Sequence, residues 1–176
     1  SPKFFSLKKN QFSNKSCKLL LKRKKISFPI VIKPSNEGSS LGVKISKNIE
    51  QLKKYSEILF KNYSELIFEQ YVAGQEIQVA VINGTPLGAI ELIPSRSFYD
   101  YEAKYRKSAK TKHLMPARLK KENYLKVLKL AQMAHKALEC KGVTRADFKF
   151  SKNKFYLLEI NTQPGMTNLS LVPEIA

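Results

Sequence analysis

Residues 154–165 read Lys154-Phe155-Tyr156-Leu157-Leu158-Glu159-Ile160-Asn161-Thr162-Gln163-Pro164-Gly165. This is an apolar strand that runs straight into a turn, and successive strand side chains point to opposite faces. Glu159 and Asn161, two apart, therefore share one face, while Leu158 and Ile160 share the other. Two oxygen-bearing side chains aimed together make a site for a hard cation. The strand before it, Val143 to Phe150, carries Arg145 and Asp147 on one face, and Ser151-Lys152-Asn153 turns it back. Parity then decides the site. An odd loop puts Asp147 and Glu159 on the same face, and an even loop without a bulge puts them on opposite faces. A three-residue turn with Asn153 in the left-handed region meets the condition.

Further back, Ile30-Val31-Ile32 is a short β-branched run that reads as a buried strand, ending in Lys33-Pro34. The glycine- and serine-rich segment Ser35 to Gly42 follows and leads into Val43-Lys44-Ile45. It lacks the Gly-Lys-Ser/Thr of a P-loop and reads as a flap between antiparallel strands, with backbone amides and hydroxyls free to approach a phosphate. A lysine at the end of a buried strand must find an anion or reach solvent, which makes Lys33 the natural partner of such a flap.

Pro2 to Leu7 reads as a short strand, Ser13 to Lys25 as a basic helix, and Asn48 to Phe60 as an amphipathic helix capped by Ser46 or Asn48. Leu66 to Val72, Glu76 to Ile82 and Leu87 to Ile93 form a meander hinged on Asn83-Gly84. The middle run alternates polar and apolar and is expected to be half-exposed, with Glu91 a solvated strand residue. Ser95 to Lys112 has no sustained period and reads either as a functional lid or as a surface loop pinned by Phe98, Tyr99, Tyr101 and Tyr105. Lys121 to Cys140 is expected to be a helix with an apolar stripe of Leu125, Leu128, Ala131, Ala134 and Leu138, ended by Gly142. His135 lies close to that stripe and reads as structural.

The chain has 176 residues and a formal charge of +18. Such charge first suggests a polyanion partner, and a basic nucleic-acid-binding module is the alternative from a different class. Against it, arginine, the better gripper of phosphate and base edges, occurs only at 23, 96, 106, 118 and 145, and the lysines are scattered. No apolar run approaches the length of a membrane span and no signal peptide is recognisable, so the expected location is the cytoplasm. Cys17 and Cys140 stand apart from any metal-ligand cluster and read as reduced thiols.

Lys33-Pro34 with Glu37 to Val43, Phe98 to Tyr105, Gly142 to Asp147, and Glu159 to Thr167 together resemble the D-alanine–D-alanine ligases of the ATP-grasp superfamily. The resemblance runs in order along nearly the whole chain. It implies an α+β ATP-grasp fold of two lobes, antiparallel sheets flanked by helices, gripping ATP between them. Residues 1–72 would be the small lobe with the phosphate flap, and 73–176 the lobe with the metal site and lid.

By that resemblance, Lys33, Glu37, Gly38, Ser39 and Ser40 hold the phosphates, and Ser39 also lies near the reacting groups. Glu69, Gln70 and Val72 match the hinge that meets adenine, and Glu76 the ribose-binding acid. Asp147, Glu159 and Asn161 match the magnesium (or manganese) ligands. Arg145 and Gly165 match the groups that steady the acyl-transfer oxyanion, Ser170 and Leu171 those that hold the second D-alanine's carboxylate, and Lys104 and Tyr105 the lid.

The implied activity is ATP-dependent ligation of two D-alanines, through a D-alanyl phosphate, for peptidoglycan synthesis. Related specificities for D-lactate or D-serine as second substrate are the near alternatives, and the tyrosine at 105 favours D-alanine. Small-molecule substrates, no nucleic-acid or membrane partner, and a homodimer for the full-length protein are implied as well. The domain that precedes this portion in the family, and binds the first D-alanine, has no counterpart here. The isolated chain is therefore expected to bind nucleotide weakly and not to turn over.

Overall fold

The computed structural model describes residues 1–38, 40–93 and 111–176, and these divide into two compact units, 2–71 and 72–93 with 111–176. The first unit contains β1 (Phe4–Lys8), α1 (Asn14–Lys24), β2 (Ile30–Pro34), β3 (Lys44–Ser46), α2 (Ile49–Leu59) and β4 (Glu65–Gln70). Its strands form one antiparallel sheet in the order β1-β4-β2-β3. Ser13 caps α1 by accepting from the Ser16 amide, and Asn48 caps α2 by accepting from the Gln51 amide, each satisfying an amide that the helix itself leaves orphaned. Ile30 and Ile32 alternate inward along β2 and pack with Leu52, Leu66 and Phe68, while Phe5 stacks on Phe68 with ring centroids 5.1 Å apart. Cys17 is fully enclosed in this core, and burial pushes its thiol up to about 12, so it stays protonated.

The second unit contains β5 (Gln75–Ile82), β6 (Thr85–Ile93), β7 (Lys112–Leu114), α3 (Lys121–Ala137), β8 (Val143–Ser151), β9 (Lys154–Asn161) and α4 (Leu171–Ile175). Its sheet runs β7-β6-β5-β8-β9, antiparallel throughout. Asn83 and Gly84 both take positive φ and close the β5–β6 hairpin in two residues, as the dipeptide leads one to expect. Gly74, which enters β5, has φ 145°, and a Cβ there would collide with the Phe150 carbonyl oxygen. Among the described residues no helix is long and apolar enough to cross a membrane.

Strand β5 is not half-exposed: it is the central strand, and residues 77 to 81 are buried on both faces. Ile77, Val79 and Val81 pack with Val127 and Ala131 of α3, and α4 packs against β5 and β6 as well.

Glu91 is not solvated. It is 2% exposed, because the segment before α3 brings Arg118 across it; the guanidinium donates to both carboxylate oxygens at 3.1 and 3.0 Å, and the Arg118 amide and Gln75 side chain also donate. Burial alone would raise this carboxyl, but those hydrogen bonds and the arginine charge outweigh it and hold Glu91 below the usual carboxylate range.

The face that α3 buries is Val127, Ala131 and His135, whereas Leu125 and Leu138 of the expected stripe are exposed. The helix also ends earlier, at Ala137, and Glu139 takes the left-handed conformation before Gly142 does. His135 is structural, its Nδ1 lying 2.8 Å from the Thr144 hydroxyl.

Candidate functional site

Strands β8 and β9 turn on two residues, Lys152 and Asn153, both at positive φ, so the three-residue turn expected from the sequence is not formed. An even loop alone would place Asp147 and Glu159 on opposite faces. A bulge restores them: Phe148 pairs with Leu157 but Asp147 pairs with Glu159, leaving Leu158 as the extra residue in β9. The residues of β9 that pack on the core are consequently Leu157 and Ile160, not Leu158 with Ile160 as the sequence suggests. Arg145 pairs with Asn161 in the same ladder, and residues directly opposed in an antiparallel pair share a face. One face of this hairpin thus carries Arg145, Asp147, Glu159 and Asn161.

Their surroundings fix their geometry. The Arg145 guanidinium grips Asp147 in a fork, Nε to Oδ1 at 2.8 Å and the second nitrogen to Oδ2 at 3.0 Å. Asn161 Oδ1 accepts from the Gln163 amide at 3.1 Å, an Asx-type turn that swings the chain out of β9. Two carboxylates and an amide oxygen on one face are hard donors that suit a small divalent cation.

The face continues onto β5, where Gln78 opposes Asp147 and Glu76 opposes Lys149. The Lys149 ammonium donates to Glu76 Oε2 at 2.9 Å. The expected ribose acid is therefore already paired with a cation.

Within the first unit, Lys33 Nζ lies 3.2 Å from Glu69 Oε2, the two reaching each other diagonally across β2 and β4. Gln70 exchanges hydrogen bonds with the Ser27 backbone, amide to Oε1 and Nε2 to carbonyl at 3.0 Å each, so its side chain is spent on structure. The flap is built from tight turns, with the Leu41 amide donating to Gly38 O and the Val43 amide to Ser40 O. Glu37 accepts a hydrogen bond from Tyr63; partial burial first, and the Glu37 charge and hydrogen bond next, hold that phenol above its ordinary range. A Cβ added to Gly38 would meet nothing within 4 Å. Val72 is half-buried at the start of the second unit.

Beyond β9, Gly165 packs so closely on Ser170 that a Cβ would stand 2.8 Å from its Oγ. The Ser170 hydroxyl accepts from the Thr167 amide at 3.0 Å, while the Leu171 side chain is buried, leaving its backbone amide as the group it can offer. Ser39, Lys104 and Tyr105 lie outside the described residues.

Two neighbours of the site escaped the sequence reading, Gln78 and Lys149. Both stand two residues from an acid already singled out, Glu76 and Asp147, and that spacing alone signals a shared face. Tyr63 also escaped, and nothing local in the sequence ties it to Glu37.

The sequence model of the family described as "D-ala D-ala ligase C-terminus" matches residues 1–176. A D-alanine–D-alanine ligase of Pelagibacter ubique is 55% identical, across 100% of this chain and 57% of its own length, and one of Geotalea uraniireducens is 44% identical across 90% and 51%. The chain thus spans about half the length of the curated relatives it matches. Among solved structures, the Bacillus anthracis D-alanine–D-alanine ligase complexed with ATP superposes with a TM-score of 0.80 at 29% identity, over 99% of this chain and 53% of that one. The VanG D-Ala:D-Ser ligase of Enterococcus faecalis gives 0.83 at 29%, over 99% and 51%.

Proposed function

We propose, from the premise that this chain belongs to the D-alanine–D-alanine ligase family through its ATP-grasp portion, that it supplies the nucleotide- and cation-binding part of an enzyme that joins two D-alanines for peptidoglycan synthesis. The observation that carries the reading is the bulged β8–β9 hairpin, which puts two carboxylates and an amide on one face with an arginine locked to one of them.

The chemistry gives each residue a task. A carboxylate is a poor electrophile, so the first D-alanine must take the γ-phosphoryl group of ATP, releasing ADP. The amine of the second D-alanine then attacks the acyl carbon and phosphate leaves. Phosphoryl transfer depends chiefly on positioning and charge neutralisation. Asp147, Glu159 and Asn161 would hold magnesium, which when bound screens the charge on the phosphates. Lys33 and the flap from Glu37 to Ser40 bind phosphate, with Lys33 leaving its contact with Glu69 to do so.

Glu69 and the backbone at Gln70 and Val72 meet adenine, and Glu76 takes the ribose. Arg145 and the Gly165 amide stabilise the oxyanion formed on acyl attack, and Ser170 with the Leu171 amide orients the second substrate's carboxylate. Tyr105 and Lys104 shield the acyl phosphate from water. A cytoplasmic location fits the use of ATP as substrate, and in this reading residues 1–72 act as the phosphate-binding lobe and 73–176 as the cation-binding lobe.

The test is nucleotide binding by calorimetry with and without magnesium, followed by product analysis on the full protein as its gene encodes it, with D-alanine, D-serine and D-lactate offered together. Asp147→Asn and Glu159→Gln are expected to remove the magnesium-dependent component and D-alanyl-D-alanine to be the product. Magnesium-dependent binding untouched by both substitutions overturns the assignment.

A further inference from the structure

The most deeply buried polar side chain on the hairpin-facing side of β5 is Gln78. It is 1% exposed, and its Oε1 has no hydrogen-bond partner among the described residues. Buried acceptors of this kind are rare in native proteins, since each leaves its desolvation uncompensated.

The strand neighbours explain why no donor is at hand. Across one ladder stands Ile90, fully buried and without a donor; across the other stands Asp147, whose carboxylate is an acceptor and is gripped by Arg145. The next residue on the same face of β5 in one direction is Glu76, an acceptor occupied by Lys149, and in the other it is Ala80. A neutral amide at this position is itself informative. An acid would set a third carboxylate directly opposite Asp147 and beside Glu76, where like charges repel. An apolar residue would satisfy packing at no polar cost. Glutamine keeps a strong acceptor in place without charge, and the acceptor is left idle.

We propose that Gln78 is a further binding residue of this site, its Oε1 accepting a hydrogen bond from an O–H group that arrives with the magnesium nucleotide. Two sources have that chemistry: a water carried on the cation held by Asp147, Glu159 and Asn161, and a hydroxyl of the nucleotide bound at Glu76. The inference rests on the function proposed above, and it adds a polar contact to the floor between the cation ligands and the ribose acid. Its cost falls on the unloaded protein and is recovered on loading.

That gives a crossed signature which packing alone does not produce. Gln78→Met, close in volume and shape, is expected to raise the melting temperature of the unliganded protein by about 2–4 °C. In the same protein it is expected to weaken nucleotide binding about 3- to 10-fold. The measurements are thermal unfolding without ligand, and calorimetric titration with ATP plus magnesium and with ADP in chelator, on the protein as its gene encodes it, beside wild type and Asp147→Asn.

A loss confined to the magnesium titration identifies cation-bound water as the donor, and a loss in both identifies a nucleotide hydroxyl. A lower melting temperature in Gln78→Met overturns the inference, because Oε1 then already has a partner such as an enclosed water. So does unchanged binding. If wild type binds no nucleotide, or Asp147→Asn binds as well as wild type with magnesium, it is the function proposed above that fails.

Discussion

Strands β5 and β8 bury two faces that have little in common. Toward α3 they present Ile77, Val79, Val81, Ala146 and Phe148, which close against Val127 and Ala131. Toward the other side they present Glu76, Gln78, Arg145, Asp147 and Lys149, in register with Glu159 and Asn161 of β9. The first face is what the hydrophobic effect selects; any residues of suitable volume would serve. The second requires each charge to have a partner, and it supplies them within the sheet: Arg145 to Asp147, Lys149 to Glu76. Buried ion pairs of this sort contribute little net stability compared with apolar replacements. Within β5 and β8 such pairs lie on one face only, which marks that face as selected for something other than folding.

The comparison breaks if the two faces cannot be perturbed separately. The largest expected effect is from Phe148→Ala, 2% exposed and central to the apolar face, which should cost about 3–5 kcal/mol in urea unfolding. Magnesium–ATP affinity of the fraction still folded should stay within about twofold of wild type, since the truncated ring points away from the charged row. A parallel fall in affinity would mean that the faces act as one.

Next is Glu91, an acid lodged on the apolar side. Glu91→Gln is expected to cost about 1–2 kcal/mol at neutral pH, the exposed Arg118 partner tempering the loss. The sign with pH is definite. Because the folded carboxyl is held below its ordinary range, its contribution is complete above the unfolded value of about 4.3 and disappears as pH falls through the lower folded value. Wild type and Glu91→Gln should accordingly converge in stability as pH drops below about 4, measured by urea midpoints. Parallel curves would refute the assigned ion pair.

The smallest effect carries the same separation of fold from function into the flap. Gly38 has open space where a Cβ would go, so Gly38→Ala should change stability by less than about 0.5 kcal/mol. Its expected cost is a few-fold loss of ATP affinity, where a methyl obstructs close approach of phosphate to the backbone. Unchanged affinity would remove Gly38 from the phosphate-binding set.

Much of this was legible beforehand. The β-branched run at 30–32, the Asn83-Gly84 turn and the capped helix at 49–59 are local signals, and each was sufficient for its element. What was not legible depended on distant chain. The phase of α3 is a choice between two overlapping rows of apolar residues, and the sheet beneath selected the one with Val127 and His135. Glu91 reads as solvated until Arg118, 27 residues later, folds over it. At the site, the sequence sets the shared face of Asp147 and Glu159 as a condition, and a two-residue turn with a bulge meets it in place of the expected three-residue turn. The doubled leucine at 157–158 is the trace a bulge leaves in an alternating strand, and it was there to be noticed.

Gly74 has a consequence in the currency of mutation rather than energy. Its φ of 145° and the Phe150 carbonyl beside it rule out every side chain, the smallest included. Every missense change at that codon introduces a Cβ, so the position has no neutral neighbours to drift through. In a saturation library scored for growth, residue 74 should be a column in which glycine alone survives, even though it touches no ligand in the function proposed above.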